Sequence, residues 1–354
     1  MDLGLDQRRN PPFVPIAPAS AFAARRRRRR ARAGRNGLLL MAASLGILGG
    51  VVVTRGLARQ GAPTRVASTR VDAAGRASGR SVSAAPPSAH LEAPPYSWDY
   101  RWLEEHPAAG APANRSRSAI MVDLESGHVL FSRNPHQRMA PASTAKLMTA
   151  MVALDAADPA TVVTVPAAAV QVEPNVMGLS AGEKLAVRDV LTGLLLDSGN
   201  DAAETLAATT AGDRASFIAA MNTKAEAMGL TDSRFANPTG LDDPAQYSSP
   251  HDRAVVAAYL HRHYPLLDQL VTTKTGSIQG GADHKAFAPI NLNKLLWTYP
   301  GAIGFKTGLT DNAGTCLVAG AQRRGRTLLL VELNDPLIFT DATALFEYGF
   351  RRAG

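Results

Sequence analysis

Thr315-Cys316-Leu317-Val318-Ala319-Gly320 and Thr327-Leu328-Leu329-Leu330-Val331-Glu332-Leu333, joined through the turn residues Arg323-Arg324-Gly325, decide the fold. Short apolar runs bounded by Gly and charged turn residues read as paired strands. Ile303 to Thr307 reads as a further strand just before them. At the other end, Ala119-Ile120-Met121-Val122 and His128-Val129-Leu130-Phe131 face each other across Glu125-Ser126-Gly127 as a hairpin. Helical patterns fill the space between. One follows Ser143, two cover 187–196 and 201–209, and one covers 214–228 with Asp213 as N-cap and Gly229 past its end. Ser249-Pro250 opens another, and 338–349 closes the chain as a helix. The expected class is α+β: an antiparallel sheet built from both ends of the domain, flanked by helices, with an inserted helical lobe.

The formal charge of +8 over 354 residues suggests a polyanion partner until its distribution is read. Residues 1–60 hold twelve Arg against Asp2 and Asp6, a net of +10, and the remainder is −2. The folded part therefore has no compositional reason to bind nucleic acid. Arg25 to Arg30, followed by Arg32 and Arg35, stand before an uncharged, apolar-centred segment, Asn36 to Thr54. Nineteen residues of helix are about 28 Å long, close to the thickness of a bilayer core. The arginines on its N-terminal side predict that this side stays in the cytoplasm. The expected organisation is a basic cytoplasmic segment (1–35), a transmembrane signal-anchor (36–54), a Pro/Ala-rich linker (55–110) and a catalytic domain (111–354). A cleaved signal peptide with secretion is the alternative, although Thr54-Arg55 makes a poor cleavage site. Tyr96, Trp98, Tyr100 and Trp102 alternate near the end of the linker, with two destinations open: the domain or the membrane interface.

The chemistry is read from Pro141-Ala142-Ser143-Thr144-Ala145-Lys146, at the start of the apolar run Leu147 to Leu154. Helical spacing places Ser143 and Lys146 on one face. A serine needs an adjacent base to become a nucleophile, and a lysine can be one if burial and a nearby cation lower its pKa. Two further motifs stand at useful intervals. Ser198-Gly199-Asn200 offers a hydroxyl that can relay a proton and an amide that can bind a carbonyl. Lys306-Thr307-Gly308 offers a cation, a hydroxyl and a position without a side chain. The single cysteine, Cys316, excludes an internal disulfide and a zinc cluster, and reads as a packed strand residue. His261 and His263 lie two apart on a predicted helix and point to different faces, so neither a metal site nor a cofactor is expected.

S-x-x-K, S-x-N and K-T-G in this order resemble the signature of penicillin-recognising serine enzymes. From about Ser118 to Arg351 the chain is similar to the D-alanyl-D-alanine carboxypeptidases, the low-molecular-mass penicillin-binding proteins of peptidase family S11. Gly182-Glu183-Lys184-Leu185, Asn237-Pro238-Thr239-Gly240-Leu241-Asp242 and Tyr299-Pro300-Gly301 fit the family pattern as well. The resemblance implies a DD-peptidase/β-lactamase-like fold and a set of roles. Ser143 attacks the carbonyl between the last two D-alanines, Lys146 takes its proton, and Ser198 passes a proton to the leaving group. Asn200, Lys306, Thr307 and Gly308 bind substrate, and the backbone N–H groups of Ser143 and Leu309 form the oxyanion hole. Lys306 would help keep Lys146 neutral by like-charge repulsion. The implied partners are peptidoglycan stem peptides ending in D-Ala-D-Ala, β-lactams as inhibitors, and the membrane through the N-terminal anchor.

A second K-T-G, Lys274-Thr275-Gly276, lacks the Tyr-Pro-Gly lead-in and reads as a decoy. A class A β-lactamase would need a carboxylate for its deacylating water, and no E-x-x-L-N pattern occurs between Ser198 and Lys306. A DD-endopeptidase of the same superfamily, or a wall-binding protein with a dead site, are the alternatives. Many relatives carry a further C-terminal domain with an anchor. Here 46 residues (354 − 308) follow Gly308, which shifts the expected anchor to the N-terminus.

Overall fold

The computed structural model describes residues 96–352, and the expected anchor at 36–54 lies outside them. Five strands form one antiparallel sheet: β1 (Ser118–Asp123), β2 (Val129–Arg133), β5 (Ala302–Thr310), β6 (Gly314–Arg323) and β7 (Arg326–Leu333). Their order is β2-β1-β7-β6-β5, so the N-terminal hairpin and the C-terminal meander meet at the β1–β7 pair, with Ile120 opposite Val331. That is the sheet expected from both ends of the domain. Arg324 and Gly325 both have positive φ at the β6–β7 turn, the backbone that a tight hairpin requires.

The sheet is buried on both faces because its strands carry two alternating apolar sets. Ile120, Val122, Cys316, Val318, Leu329 and Val331 face the helical lobe. Ala119, Met121, Leu317, Ala319, Leu328 and Leu330 face α9 (Ile338–Arg352). Cys316 is fully buried, and burial pushes its thiol up to about 12, so it behaves as a packed strand residue.

The lobe holds α2 (Lys146–Ala156), α3 (Val187–Leu195), α4 (Asn200–Thr209), α5 (Arg214–Ala227), α6 (Pro250–His263) and α7 (Pro265–Thr272), with the small β3–β4 ribbon (Val162–Thr164, Lys184–Ala186) and one-turn α8 (Leu295–Thr298). Two starts are set by the side chains read from the sequence. Asp213 accepts a bond from the Ser216 N–H, and Ser249 accepts one from the Asp252 N–H with Pro250 next in line.

The aromatic stretch before the domain has one destination. Trp98 is buried, Tyr96 donates to the Ala258 carbonyl, and the Asp99 backbone bonds to Gly127 and Val129. Asp99 caps α1 (Tyr100–Glu105), Tyr100 shares a hydrogen bond with His251, and Trp102 stacks on His128. The part of the expected linker from Tyr96 to Glu105 is thus built into the fold.

Under α9 lies a buried carboxyl group cluster. Glu332 and Asp335 are fully buried, and Asn114 donates to Glu332. Burial first, then the neighbouring Asp335 charge, holds the Glu332 carboxyl well above its ordinary 4.5. A carboxyl raised in the folded state stabilises fully below its unfolded pKa and loses that contribution as pH rises through the folded value. Glu332→Gln keeps the shape and removes the titration. Its melting temperature is expected to fall less than the wild type's between pH 5 and pH 9, and parallel curves would show that Glu332 does not titrate there.

Candidate active site

Ser143 sits in a 3-10 turn, Ala142–Ala145, rather than inside the helix that the sequence suggests, and α2 begins at Lys146. The tighter turn brings residues three apart into eclipse, so the pair still meets. Lys146 Nζ lies 2.9 Å from Ser143 Oγ. The same nitrogen donates to Asn200 Oδ1 at 2.7 Å and to the Thr239 carbonyl. A neutral amine has two N–H bonds and one lone pair. With Asn200 and Thr239 taking the N–H bonds, the lone pair is left for the Ser143 hydroxyl proton.

Lys146 is fully buried, and its pKa is held well below the ordinary 10.5. Burial is the larger cause and the Lys306 charge the second, while Asp201 and Glu204 pull the other way. Of the two sources expected from the sequence, burial and a nearby cation, Lys306 is the lesser. Lys306 is itself buried, which holds its ammonium down to about 7 against the pull of Asp197.

Three strands of chain press on the turn that carries Ser143. Gly308 faces it from β5, where a Cβ would stand 2.7 Å from Ala142 Cβ and 2.9 Å from the Ser143 nitrogen. A glycine is needed there for this contact. Gly240, with φ +82°, lies so close that a Cβ would collide with the Ala142 carbonyl oxygen. Arg253, fully buried on α6, points its guanidinium at the Thr144 carbonyl from a long 3.5 Å. Since β5 is the sheet's edge, part of its backbone N–H row has no ladder partner, and Leu309 stands on that edge with an exposed side chain.

Ser198 is buried with φ +62°, and no protein hydrogen bond holds its hydroxyl among the described residues. Asn200, expected to bind a substrate carbonyl, has its oxygen on Lys146 and its nitrogen on the Glu173 carbonyl at 2.7 Å. Thr307 is half-buried, and its carbonyl accepts from Lys306 Nζ. Lys274 of the decoy K-T-G is exposed, and its neighbour Thr275 pairs with Ile290 in a separate hairpin.

Two loops support these residues through contacts that the sequence alone does not give. Asp201 accepts from the Met177, Gly178 and Leu179 N–H groups, clamping the loop before α3 over Asn200. Asn237 accepts from the Gly240 N–H and the Thr239 hydroxyl, which sets the loop presenting Thr239 to Lys146. Asn-Pro-Thr-Gly at 237–240 carried the signal for the second, as a turn sequence between helices.

A two-ended antiparallel sheet with this helical lobe is the fold of the serine DD-peptidases. A solved D-alanyl-D-alanine carboxypeptidase structure from Mycobacterium tuberculosis matches with a TM-score of 0.64 and 35% identity, covering 69% of this chain and 95% of that one. The chain belongs to the D-alanyl-D-alanine carboxypeptidase family, peptidase S11, whose model matches residues 105–336. A carboxypeptidase of Mycobacterium tuberculosis is 37% identical over 68% of this chain and 84% of its own length. A Bacillus subtilis carboxypeptidase is 34% identical over 60% of this chain, and the match spans 55% of that relative's length. A D-alanyl-D-alanine endopeptidase of Pseudomonas aeruginosa is 37% identical over 68% of this chain and 79% of its own.

Proposed function

We propose that this chain is a serine-type D-Ala-D-Ala carboxypeptidase that removes the terminal D-alanine from peptidoglycan stem pentapeptides. The observation that carries the reading is the buried Lys146 amine, 2.9 Å from Ser143 Oγ, with its other two positions taken by Asn200 and Thr239.

In the proposed reaction Ser143 Oγ attacks the penultimate D-alanine carbonyl while its proton passes to Lys146. The oxyanion develops toward the backbone N–H groups of Ser143 and Leu309. Such a donor is worth about 3 kcal/mol in a preorganised site. Ser198, whose hydroxyl has no partner among the described residues, relays the proton taken up by Lys146 to the departing D-alanine nitrogen. Lys306 and Thr307 draw the terminal carboxylate toward the edge of β5, and Gly308 lets that edge close on Ser143. Asn200 holds the base. Water then attacks the ester on Ser143, giving a proton to Lys146, which passes it to the departing Ser143 oxygen. A β-lactam would follow the first half of this path and stop at the ester.

Residues 36–54 are proposed to anchor the chain in the membrane, with the catalytic domain outside the cell. Among the described residues no helix is long and apolar enough to cross a membrane.

Release of free D-alanine from a muramyl pentapeptide by the purified full chain tests the reading. An endopeptidase, the second reading that the Pseudomonas relative favours, would cleave cross-linked dimers and release none. The pH profile of kcat/KM is expected to fall as pH rises through about 7, where Lys306 loses its proton in the free enzyme. Lys306→Arg, which stays charged, is expected to remove the falling limb. A limb that does not move would take Lys306 out of the profile.

A further inference from the structure

The decoy motif has a place of its own. Lys274 lines a surface cleft of about 360 Å³ together with Thr272, Trp297, Thr298 and Pro300 to Ala302. That volume is at the small end of ligand sites, which run from about 300 to 1,000 Å³. Trp297 is 47% exposed, so its indole is accessible at the cleft it lines. Lys274 makes no ion pair or side-chain hydrogen bond among the described residues. The wall behind is rigid: the buried Tyr299 donates to Glu347, Arg323 pairs with Glu347, and Gly301 has φ +87° against Gln322.

We propose that this cleft is a secondary site for a sugar ring of the wall glycan, an amino sugar carrying an acidic substituent. The inference rests on the peptidoglycan reading above. An open indole face suits the C–H face of a pyranose. The Thr272 and Thr298 hydroxyl oxygens, whose protons go to their own helices, remain acceptors for sugar hydroxyl or amide protons. Lys274, without an ion pair among the described residues, supplies a cation for the free carboxylate of a sugar that carries no stem peptide. A concave site of this size favours a small ring over a lipid surface, which needs a convex, protruding one.

Position separates the cleft from the catalytic cleft. It opens at Ala302, six positions before Gly308, roughly 20 Å along β5 at the rise of an extended strand. Between them α7 crosses the strand, with Val271 against Gly304. A ligand at Trp297 is therefore a different part of the polymer from the stem at Ser143. The site retains the enzyme on glycan and takes no part in the bond cleavage.

The test uses the full chain in detergent with Trp297→Ala, Trp297→Phe and Lys274→Ala variants. Co-sedimentation with isolated insoluble peptidoglycan is expected to weaken roughly tenfold or more on loss of the indole, as for a central aromatic contact. D-alanine release from a soluble pentapeptide is expected to stay unchanged. Free N-acetylglucosaminyl-N-acetylmuramic acid is expected to shield Trp297 from acrylamide quenching, read as the difference between wild type and Trp297→Phe. Unchanged sedimentation in Trp297→Ala overturns the proposal. So does shielding by phosphatidylglycerol in the micelles with none by the disaccharide, which would make the cleft a lipid contact. Should the wild type release no D-alanine from the soluble peptide, the catalytic reading fails, while sedimentation still decides the sugar site.

Discussion

Lys146→Arg is expected to lower the acylation rate by about 10²–10⁴-fold, the usual worth of a positioned general base, while leaving a cation in place. Protonation rather than charge decides the effect. A guanidinium keeps its proton at any working pH. The wild-type amine is disposed to lose its own, because burial and Lys306 disfavour the charged form and only Asp201 and Glu204 oppose them. Two N–H bonds go to Asn200 and Thr239, and the third position faces Ser143. Stopped-flow acylation by a chromogenic cephalosporin reads the step directly. A rate within tenfold of wild type would mean that Lys146 serves Ser143 as a fixed charge and some other group takes the proton.

Gly240→Ala comes next in size. A methyl group there meets the Ala142 carbonyl, and the left-handed backbone adds about 1–2 kcal/mol of strain for any L side chain. The turn can yield only by moving Ser143, whose neighbours Gly308 and Lys146 are fixed on β5 and α2. A displacement near 1 Å costs on the order of 10² in rate. The variant is therefore expected to melt lower and to lose about that much kcat on a tripeptide, with KM little changed. Activity within twofold of wild type would show that the 237–240 loop does not set the nucleophile.

The sheet was legible because its strands alternate two apolar sets, as in Cys316 and Val318 against Leu317 and Ala319, and burial on both faces follows from that pattern. Helices α5 and α6 were legible through Asp213 and Ser249, which act locally. Short elements were not. Helices α7 and α8 span eight and four residues, too little for a periodic signal, and depend on packing against β5. The turn at Ser143 looked helical because Ala and Thr tolerate both windings, and the pressure of Gly240 and Gly308 that accompanies the tight one comes from chain about 100 and 165 residues away.

Within the site, the residue types and their order could be read, whereas the distribution of bonds could not. Nothing in Ser198-Gly199-Asn200 says that the amide turns to Lys146 and Glu173, since those partners lie 54 and 27 residues away. Burial of Lys146, the larger cause of its lowered pKa, is likewise a property of the assembled lobe. The aromatic alternation at 96–102 was visible, and its partners His251, His128 and Ala258 were not, because they lie on elements far along the chain.

In the proposed reaction Ser143 forms the acyl-enzyme. Intact-mass analysis of the full chain after benzylpenicillin, with peptide mapping, reads that bond. One penicilloyl group per chain is expected, carried on the peptide containing Ser143, and none on Ser143→Ala. Stoichiometric label on Ser143→Ala, or on Ser198 in the wild type, would contradict that assignment.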